Sequence, residues 1–174
     1  MCGGDVVIRN AVPYQNLKFI EKVRSMGCQI DIKNDIIHII SNGDLIAPKK
    51  ISTGYYPKFP TDLQSIMLAI STCCKGETTI RENIFENRFL MLSEILKVGA
   101  KFKKLNKHTV RVHGSVNLKF GDFVAQDLRG GAALVLLALK IKGENRVYNI
   151  HHVDRGYEQI EEILAKLGAD IRRL

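Results

Sequence analysis

The sequence predicts an α/β fold made from a small unit used several times. Three observations point there. Three amphipathic helical stretches each close on a glycine and run into a short alternating strand. Two other stretches are apolar all round, as helices buried on every side are. Each of those two ends at a Lys-Gly pair and is followed by another strand.

In chain order, the first strand is Asp5 to Arg9. The spacing predicts an amphipathic helix over Asn16 to Gly27, stopped by the glycine. The alternating run from Cys28 to Ile32 reads as a strand with one face buried, and Ile36 to Ile40 as another. Ile46 to Pro60, with three prolines, reads as a linker. Leu63 to Cys74 contains no charged residue and reads as a buried helix. Glu77 to Arg81 is the strand after it. A second amphipathic helix covers Arg88 to Gly99, with its body at Leu90 to Val98. Strands follow at Ala100 to Leu105 and Thr109 to His113. Ala132 to Leu139 holds only Ala, Leu and Val and is the second buried helix, introduced by Asp127. A strand at Glu144 to Tyr148, a third amphipathic helix at Tyr157 to Gly168 and a strand at Ala169 to Leu174 complete the chain.

The closing glycines 27, 99 and 168 lie 72 and 69 residues apart. A period near seventy is too long for a solenoid of helix pairs. The unit reads buried helix, strand, amphipathic helix, strand and often one more strand, with boundaries near 4–45, 60–114 and 126–174 in a single domain, 1–174. The first unit opens at its strand without a buried helix, and the third ends after one strand. The expectation is therefore a piece of something larger, begun mid-unit. A complete but irregular small protein is the alternative.

The helix starts carry the candidate site residues. Thr61 and Gln64 fit a capping box, and Asn87, Asp127 and Asp154 fit N-caps. Arg88, Arg129 and Arg155 also fall at or near helix starts, where a cation opposes the helix dipole by roughly 0.3–1 kcal/mol. A helix N-terminus attracts anions, and a guanidinium fork beside it strengthens such a site. Gly130 and Gly131 after Arg129 would let a ligand approach the backbone. Three arginines placed this way point to anion binding; pairing of each with a neighbouring acid is the structural alternative.

Lys and Arg (26) outnumber Asp and Glu (18) by eight. The balance suits anionic partners, nucleic acid or phosphorylated small molecules, and equally a solvated basic face. No dense Lys/Arg block interleaved with aromatics appears, which weakens the nucleic-acid reading. There is no apolar run of 18 residues, so no membrane span is expected, and no signal-peptide plan in the first 30 residues. Cys2, Cys28, Cys73 and Cys74 form no CxxC pair and no metal spacing. A reducing, cytoplasmic setting fits, and neither a metal nor a cofactor is expected.

Four motifs carry a resemblance: Tyr56-Pro-Lys-Phe-Pro-Thr-Asp-Leu-Gln64, Ile84-Phe-Glu-Asn-Arg-Phe89, Ala125-Gln-Asp-Leu-Arg129 and His152-Val-Asp-Arg-Gly-Tyr-Glu158. In this order they resemble the carboxy-terminal part of the enolpyruvyl transferase family, in the branch acting on UDP-N-acetylglucosamine at the start of peptidoglycan synthesis. The similarity runs from about Gly4 to the end. It implies an inside-out α/β barrel built from pseudo-repeated β-α-β-α-β-β units, incomplete in this chain. It also implies transfer of the enolpyruvyl group of phosphoenolpyruvate to the sugar 3-hydroxyl with release of phosphate, by addition and elimination through a tetrahedral intermediate.

By motif position, Asp62 resembles the general base and Arg155 the arginine on the enolpyruvate side. Thr61, Ile84, Phe85, Arg88, Asp127 and Arg129 match the substrate-binding set, with the backbone of Ile84 and Phe85 against the nucleotide sugar. Departures are Lys58 for a usual glycine, Gln126 for a threonine and Gly130 for an alanine. The family's Lys-Asn pair and cysteine-bearing loop, in an amino-terminal domain, have no counterpart here, and Cys73 and Cys74 read as core. The isolated chain is thus expected to be inactive and to self-associate through exposed apolar surface. The sister enzyme of aromatic biosynthesis shares the fold, but its Lys-Glu-Thr-Asp-Arg signature is absent. The competing reading is a stand-alone basic α/β module binding RNA or nucleotides; neither a nucleic acid nor a membrane is a partner in the favoured one.

Overall fold

The computed structural model describes residues 1–114 and 117–174 and is a mixed α/β structure. Its strands are β1 (Gly4–Ile8), β2 (Gln29–Lys33), β3 (Ile36–Ser41), β4 (Lys50–Ser52), β5 (Glu77–Arg81), β6 (Lys101–Asn106), β7 (Thr109–His113), β8 (Asp122–Val124) and β9 (Arg146–Tyr148). Its α-helices are α1 (Leu17–Ser25), α2 (Gln64–Thr72), α3 (Leu92–Lys97), α4 (Leu128–Lys140), α5 (His151–Asp154) and α6 (Ile160–Lys166).

The strands form three separate sheets, ordered β1-β3-β2, β4-β5-β7-β6 and β8-β9. β4 runs parallel to β5, and α2 is the crossover between them; β8 runs parallel to β9, and α4 is their crossover. A parallel pair needs such a long connection, and a helix supplies it. The antiparallel trio β5-β7-β6 has the same strand order and directions as β1-β3-β2. The seventy-residue period is therefore visible in the sheets. A closed barrel is not visible among the described residues.

The crossover helices hold the centre. α2 packs against α4. Met67, Leu68 and Ala69 of α2 and Ala133, Leu134 and Leu137 of α4 are buried in one cluster with Ile51, Ile80, Val110 and Val112 from the four-stranded sheet. Full burial of a Leu or Met side chain contributes about 1.5–3 kcal/mol. The apolar composition of the two helices follows from this position: no residue of either is fully exposed. Gly131 marks how closely the elements approach. A Cβ built there would lie 2.7 Å from Val153 Cγ2 and 2.9 Å from the Ala125 Cβ.

Cys73 and Cys74, at the end of α2, belong to this packing. Burial pushes their thiols up to about 11 and about 12. A thiol held so far from ionisation is a poor nucleophile at neutral pH, as the core reading of the two cysteines requires.

Several elements differ from the sequence reading. Ile46 to Pro60 is more than a linker. Lys50, Ile51 and Ser52 form β4, with Ile51 fully buried against Ile80 of β5. β8 was likewise unforeseen. Both strands have three residues, too few to show alternation. α3 is shorter than the stretch from Leu90 to Val98. Asn87 adopts a left-handed backbone at φ 57°, and residues 88–91 form turns, with the Leu92 N–H donating to Phe89 O at 3.2 Å. Asn87 therefore caps no helix; no side-chain hydrogen bond caps α3, whose N-cap position is Met91.

The run from Ala169 to Leu174 is not a strand, because among the described residues no strand pairs with it. Arg173 instead reaches back across α5 and α6. It donates to Asp154 Oδ1 at 2.8 Å and Oδ2 at 3.0 Å, and to Glu161 at 2.8 and 2.9 Å. These bonds hold both carboxyls below their usual range and raise the guanidinium's own value. An acid depressed in the folded state stabilises it above the unfolded-state pKa, and that contribution disappears as pH falls through the folded value. The tail is therefore expected to stay attached from pH 5 to 8 and to loosen below about pH 4, the ordinary carboxylate range. Hydrogen exchange at the Arg173 Nε–H reads this directly. In Arg173→Ala, exchange across residues 169–174 should be fast at every pH.

Candidate active site

The site grows from the starts of the two buried helices. Asp62 lies in a 3-10 turn, Thr61–Leu63, that leads into α2. The capping box expected of Thr61 and Gln64 does not form. The Leu63 N–H is satisfied by Pro60 O at 3.2 Å, and Thr61 Oγ1 donates to Glu82 Oε2 at 3.0 Å instead. Gln64 is fully buried, and its Nε2 has no hydrogen-bond partner. Asp62 points outward, its side chain 64% exposed.

At the start of α4, Asp127 is the N-cap that its sequence position suggests. Its Oδ1 accepts from the Arg129 N–H at 2.9 Å and the Gly130 N–H at 2.8 Å. Arg129 is the second helical residue, against the dipole. Its guanidinium resolves the conflict by crossing to the other unit, where Nε donates to Asp62 Oδ1 at 2.5 Å. The acid that pairs with Arg129 is thus not a sequence neighbour but another candidate site residue, 67 positions away.

The third contributor is the loop between β5 and α3. Glu82, only 1% exposed, accepts from the Ile84 N–H at 2.8 Å and the Phe85 N–H at 3.1 Å through Oε1, while Oε2 takes Thr61. Asn83 fixes the same loop to β4. Its N–H donates to Thr53 Oγ1 at 2.9 Å, and Nδ2 donates to Ser52 Oγ and Thr53 O. Phe85 is half exposed, and the Arg88 guanidinium lies 4.5 Å from its ring centroid. Such a cation–π pair is worth roughly 0.5–1 kcal/mol at an exposed site. A concavity of about 330 Å³ opens beside this loop, lined by Arg81, Asn83, Ile84, Phe85 and His108 among others.

These contacts form one chain: Arg88 to Phe85, Phe85 and Ile84 to Glu82, Glu82 to Thr61, and Asp62 to Arg129, with Asp127 beneath Arg129. Seven of the eight sequence-chosen residues are thereby joined. The eighth, Arg155, is placed differently from expectation. It is not at a helix start but follows the last residue of α5, at the C-cap, where a cation suits the dipole. Asp154 is likewise no N-cap; it ends α5 and pairs with Arg173. Arg155 makes no hydrogen bond or ion pair among the described residues. Its turn packs on the start of α4: a Cβ added at Gly156 would meet the Leu128 methyls at 3.1 Å. Arg88, too, sits in a turn ahead of α3 rather than on it.

Glu82 and Asn83 were missed by the sequence reading. Nothing local marks them: Arg81-Glu82-Asn83 looks like a solvated turn, and the partners that enclose Glu82, Thr61 and His108, come from elsewhere in the chain.

A second basic feature starts from Arg81 at the rim of this concavity. The outer face of the four-stranded sheet carries Lys50, Arg81, Arg111, Lys101 and Lys103, all exposed. Lys103 and Arg111 are direct cross-strand neighbours, Arg111 faces Thr79, and Thr79 faces Lys50. None of the five has an ion-pair partner among the described residues.

Comparison with known proteins identifies the family. The family model described as EPSP synthase (3-phosphoshikimate 1-carboxyvinyltransferase) matches residues 1–164. UDP-N-acetylglucosamine 1-carboxyvinyltransferases are similar over the whole chain, that of Bartonella quintana at 40% identity, that of Bartonella henselae at 42% and that of Brucella ovis at 39%. The chain spans about two fifths of the length of these curated relatives (41%, 41% and 40%). Among solved structures, an enolpyruvyl transferase from Streptomyces tendae aligns with a TM-score of 0.77 at 30% identity, over 90% of this chain and 36% of that one. EPSP synthase from Acinetobacter baumannii aligns with a TM-score of 0.75 over all of this chain and 40% of that one; at 19% identity it speaks for the fold alone. On the family match and the full-chain similarity, the chain belongs to the enolpyruvyl transferase family.

Proposed function

We propose that the joined residues form one wall of a cleft in which the enolpyruvyl group of phosphoenolpyruvate passes to the 3-hydroxyl of UDP-N-acetylglucosamine. The observation that carries the reading is the meeting of Asp62 and Arg129. A carboxylate and a guanidinium from distant stretches of chain converge next to Thr61, which Glu82 links to the Ile84–Phe85 loop. In this reading Asp62 accepts the proton of the sugar hydroxyl as its oxygen bonds to C2 of the enolpyruvate. C3 takes up a proton from a donor outside this wall in the same addition, and loss of phosphate from C2 with a proton from C3 then restores the double bond. A carboxylate serves as general base only if the hydroxyl comes within hydrogen-bond reach. Arg129 leaves one Asp62 oxygen without a partner, and that oxygen faces solvent. Arg155 engages the enolpyruvate side. Thr61, Ile84, Phe85, Arg88, Asp127 and Arg129 hold the nucleotide sugar and the opposing wall.

The activity belongs to proteins more than twice this length, so it comes to this chain only as part of the proposal. The 174-residue polypeptide presents arginines and a base on one side only. It is expected to release no phosphate above background from the two substrates together, and to bind UDP-N-acetylglucosamine with a millimolar Kd. Turnover by the purified chain, or a sub-micromolar Kd in calorimetry, would contradict the half-cleft account.

The unpaired cations on the outer sheet face favour a second reading, a module that binds polyanions through a flat basic surface. Among the described residues the one aromatic ring on that face is His113, opposite Lys101 and held by Glu77 at 2.7 Å, a poorer platform for bases than a row of Phe or Tyr. Attraction there would be of the screened, sequence-indifferent kind.

A further inference from the structure

We infer that Glu82 is a positioning residue that sets the spacing between the Asp62 side of the cleft and the backbone of Ile84 and Phe85. The inference rests on the nucleotide-sugar reading above.

Glu82 is a nearly fully buried carboxylate with no ion-pair partner among the described residues. A buried charge without a counter-ion is costly unless hydrogen bonds replace the lost water. Here they come from two places. One oxygen takes two successive backbone N–H groups, from Ile84 and Phe85; the other takes the hydroxyl of Thr61, the residue beside Asp62. All three neighbours donate, so the carboxylate acts purely as an acceptor. Its own N–H is fixed to His108 O at 2.9 Å, which anchors the residue to the turn before β7.

The consequence is geometric. The Ile84–Phe85 loop and the Asp62 turn belong to different stretches of chain, and among the described residues the Glu82 carboxylate is the hydrogen-bonding bridge between them. A ligand touching both must match the length of that bridge. Beyond the two amides taken by Glu82, Ile84 is half-buried and Phe85 half exposed, and both line the 330 Å³ concavity. Asn83 ties the loop to β4 but does not touch the Asp62 turn. Glu82 is therefore the direct hydrogen-bonded link across the separation, while Asn83 ties the loop back only indirectly, through Thr53 and its bridge to Phe59.

Length and charge can be varied separately. Glu82→Gln keeps the length. Its carbonyl can still accept from Ile84 and Phe85, and its amide can donate to the Thr61 hydroxyl. Glu82→Asp keeps the charge but is one methylene too short to reach both sides. Amide chemical shifts of the full 174-residue chain are followed during titration with UDP-N-acetylglucosamine and, separately, with phosphoenolpyruvate. The expected result is that Glu82→Gln retains the Ile84 and Phe85 responses with affinity within about threefold of the unsubstituted chain. Glu82→Asp should weaken the nucleotide sugar at least tenfold while leaving the phosphoenolpyruvate response at Arg155 within twofold. The inference is overturned if Glu82→Asp binds the nucleotide sugar like the unsubstituted chain, if it weakens both ligands alike, or if Glu82→Gln loses as much as Glu82→Asp. If the unsubstituted chain does not respond to the nucleotide sugar at all, the functional reading fails first and the inference falls with it.

Discussion

Replacing Gly114 by alanine is expected to destabilise the fold by about 3 kcal/mol, at the upper end of what overpacking usually costs. Gly114 follows the last residue of β7, and its N–H donates to Gly76 O at 2.9 Å. A Cβ there would overlap the carbonyl oxygen of Cys74, with the Cys74 carbon at 2.8 Å and Ser71 O at 3.0 Å. These are backbone atoms at the end of α2, so no side-chain rotation relieves the overlap. The sheet and the buried helix would have to separate, and the core between them includes Val110, Val112 and Met67. For a chain of this size the loss corresponds to a fall in Tm of roughly 10 °C. Gly99→Ala is the control. Its φ of +88° strains any side chain, but nothing lies within 4 Å. Its cost should stay near the 1–2 kcal/mol of a left-handed residue. Equal losses at the two positions, read by thermal melting, would remove the close approach at Gly114 from the account.

Arg129→Ala is expected to leave stability within about 1 kcal/mol and to reduce anion binding at least tenfold. The two halves of this expectation have different causes. The ion pair with Asp62 is open to water, at 34% and 64% side-chain exposure, and pairs of that kind contribute little to folding. The backbone N–H groups of Arg129 and Gly130 remain capped by Asp127 whatever the side chain at 129. Binding differs, because a guanidinium that donates to a charged group contributes about 1.5–3 kcal/mol, a factor of ten or more. Titrations of the two proteins with UDP-N-acetylglucosamine, whose diphosphate is the anion, separate the effects when melting curves are run alongside. A variant that melts far lower, or binds the anion unchanged, would show that Arg129 serves the fold instead of the site.

Much of the fold was legible because burial and periodicity agree in the long elements. α1, α2 and α4 lie where apolar spacing puts them, and the glycines at 27, 76, 99, 143 and 168 all have positive φ. The three-residue strands β4 and β8 carry too little pattern to recognise. The tail from 169 to 174 has the alternation of a strand but pairs with no other, and Arg173 found two carboxylates instead. Repetition therefore identified the unit better than its ends.

The site was legible in part for the same reason. Asp127 is a cap, and a cap is a local device that sequence shows well. The Asp62–Arg129 pair spans two units, so sequence could name both members but not their meeting. Arg155 and Asp154 were assigned to a helix start because the stretch before α6 resembles one; α5, a four-residue turn of helix, takes them up at its other end. Glu82 was invisible because its burial is a tertiary event. A polar triplet in a turn becomes a keystone only when Thr61 closes over it.

The central claim is that the residues chosen at the helix starts act together on one ligand. Two-dimensional amide spectra of the labelled chain during titration with UDP-N-acetylglucosamine test it most directly. The account expects saturable, millimolar shifts confined to Thr61, Asp62, Ile84, Phe85, Arg88 and Arg129. Shifts centred on Lys50, Lys103 and Arg111 that vanish with added salt would contradict it and favour the basic sheet face, and a spectrum unchanged at saturating ligand would contradict it outright.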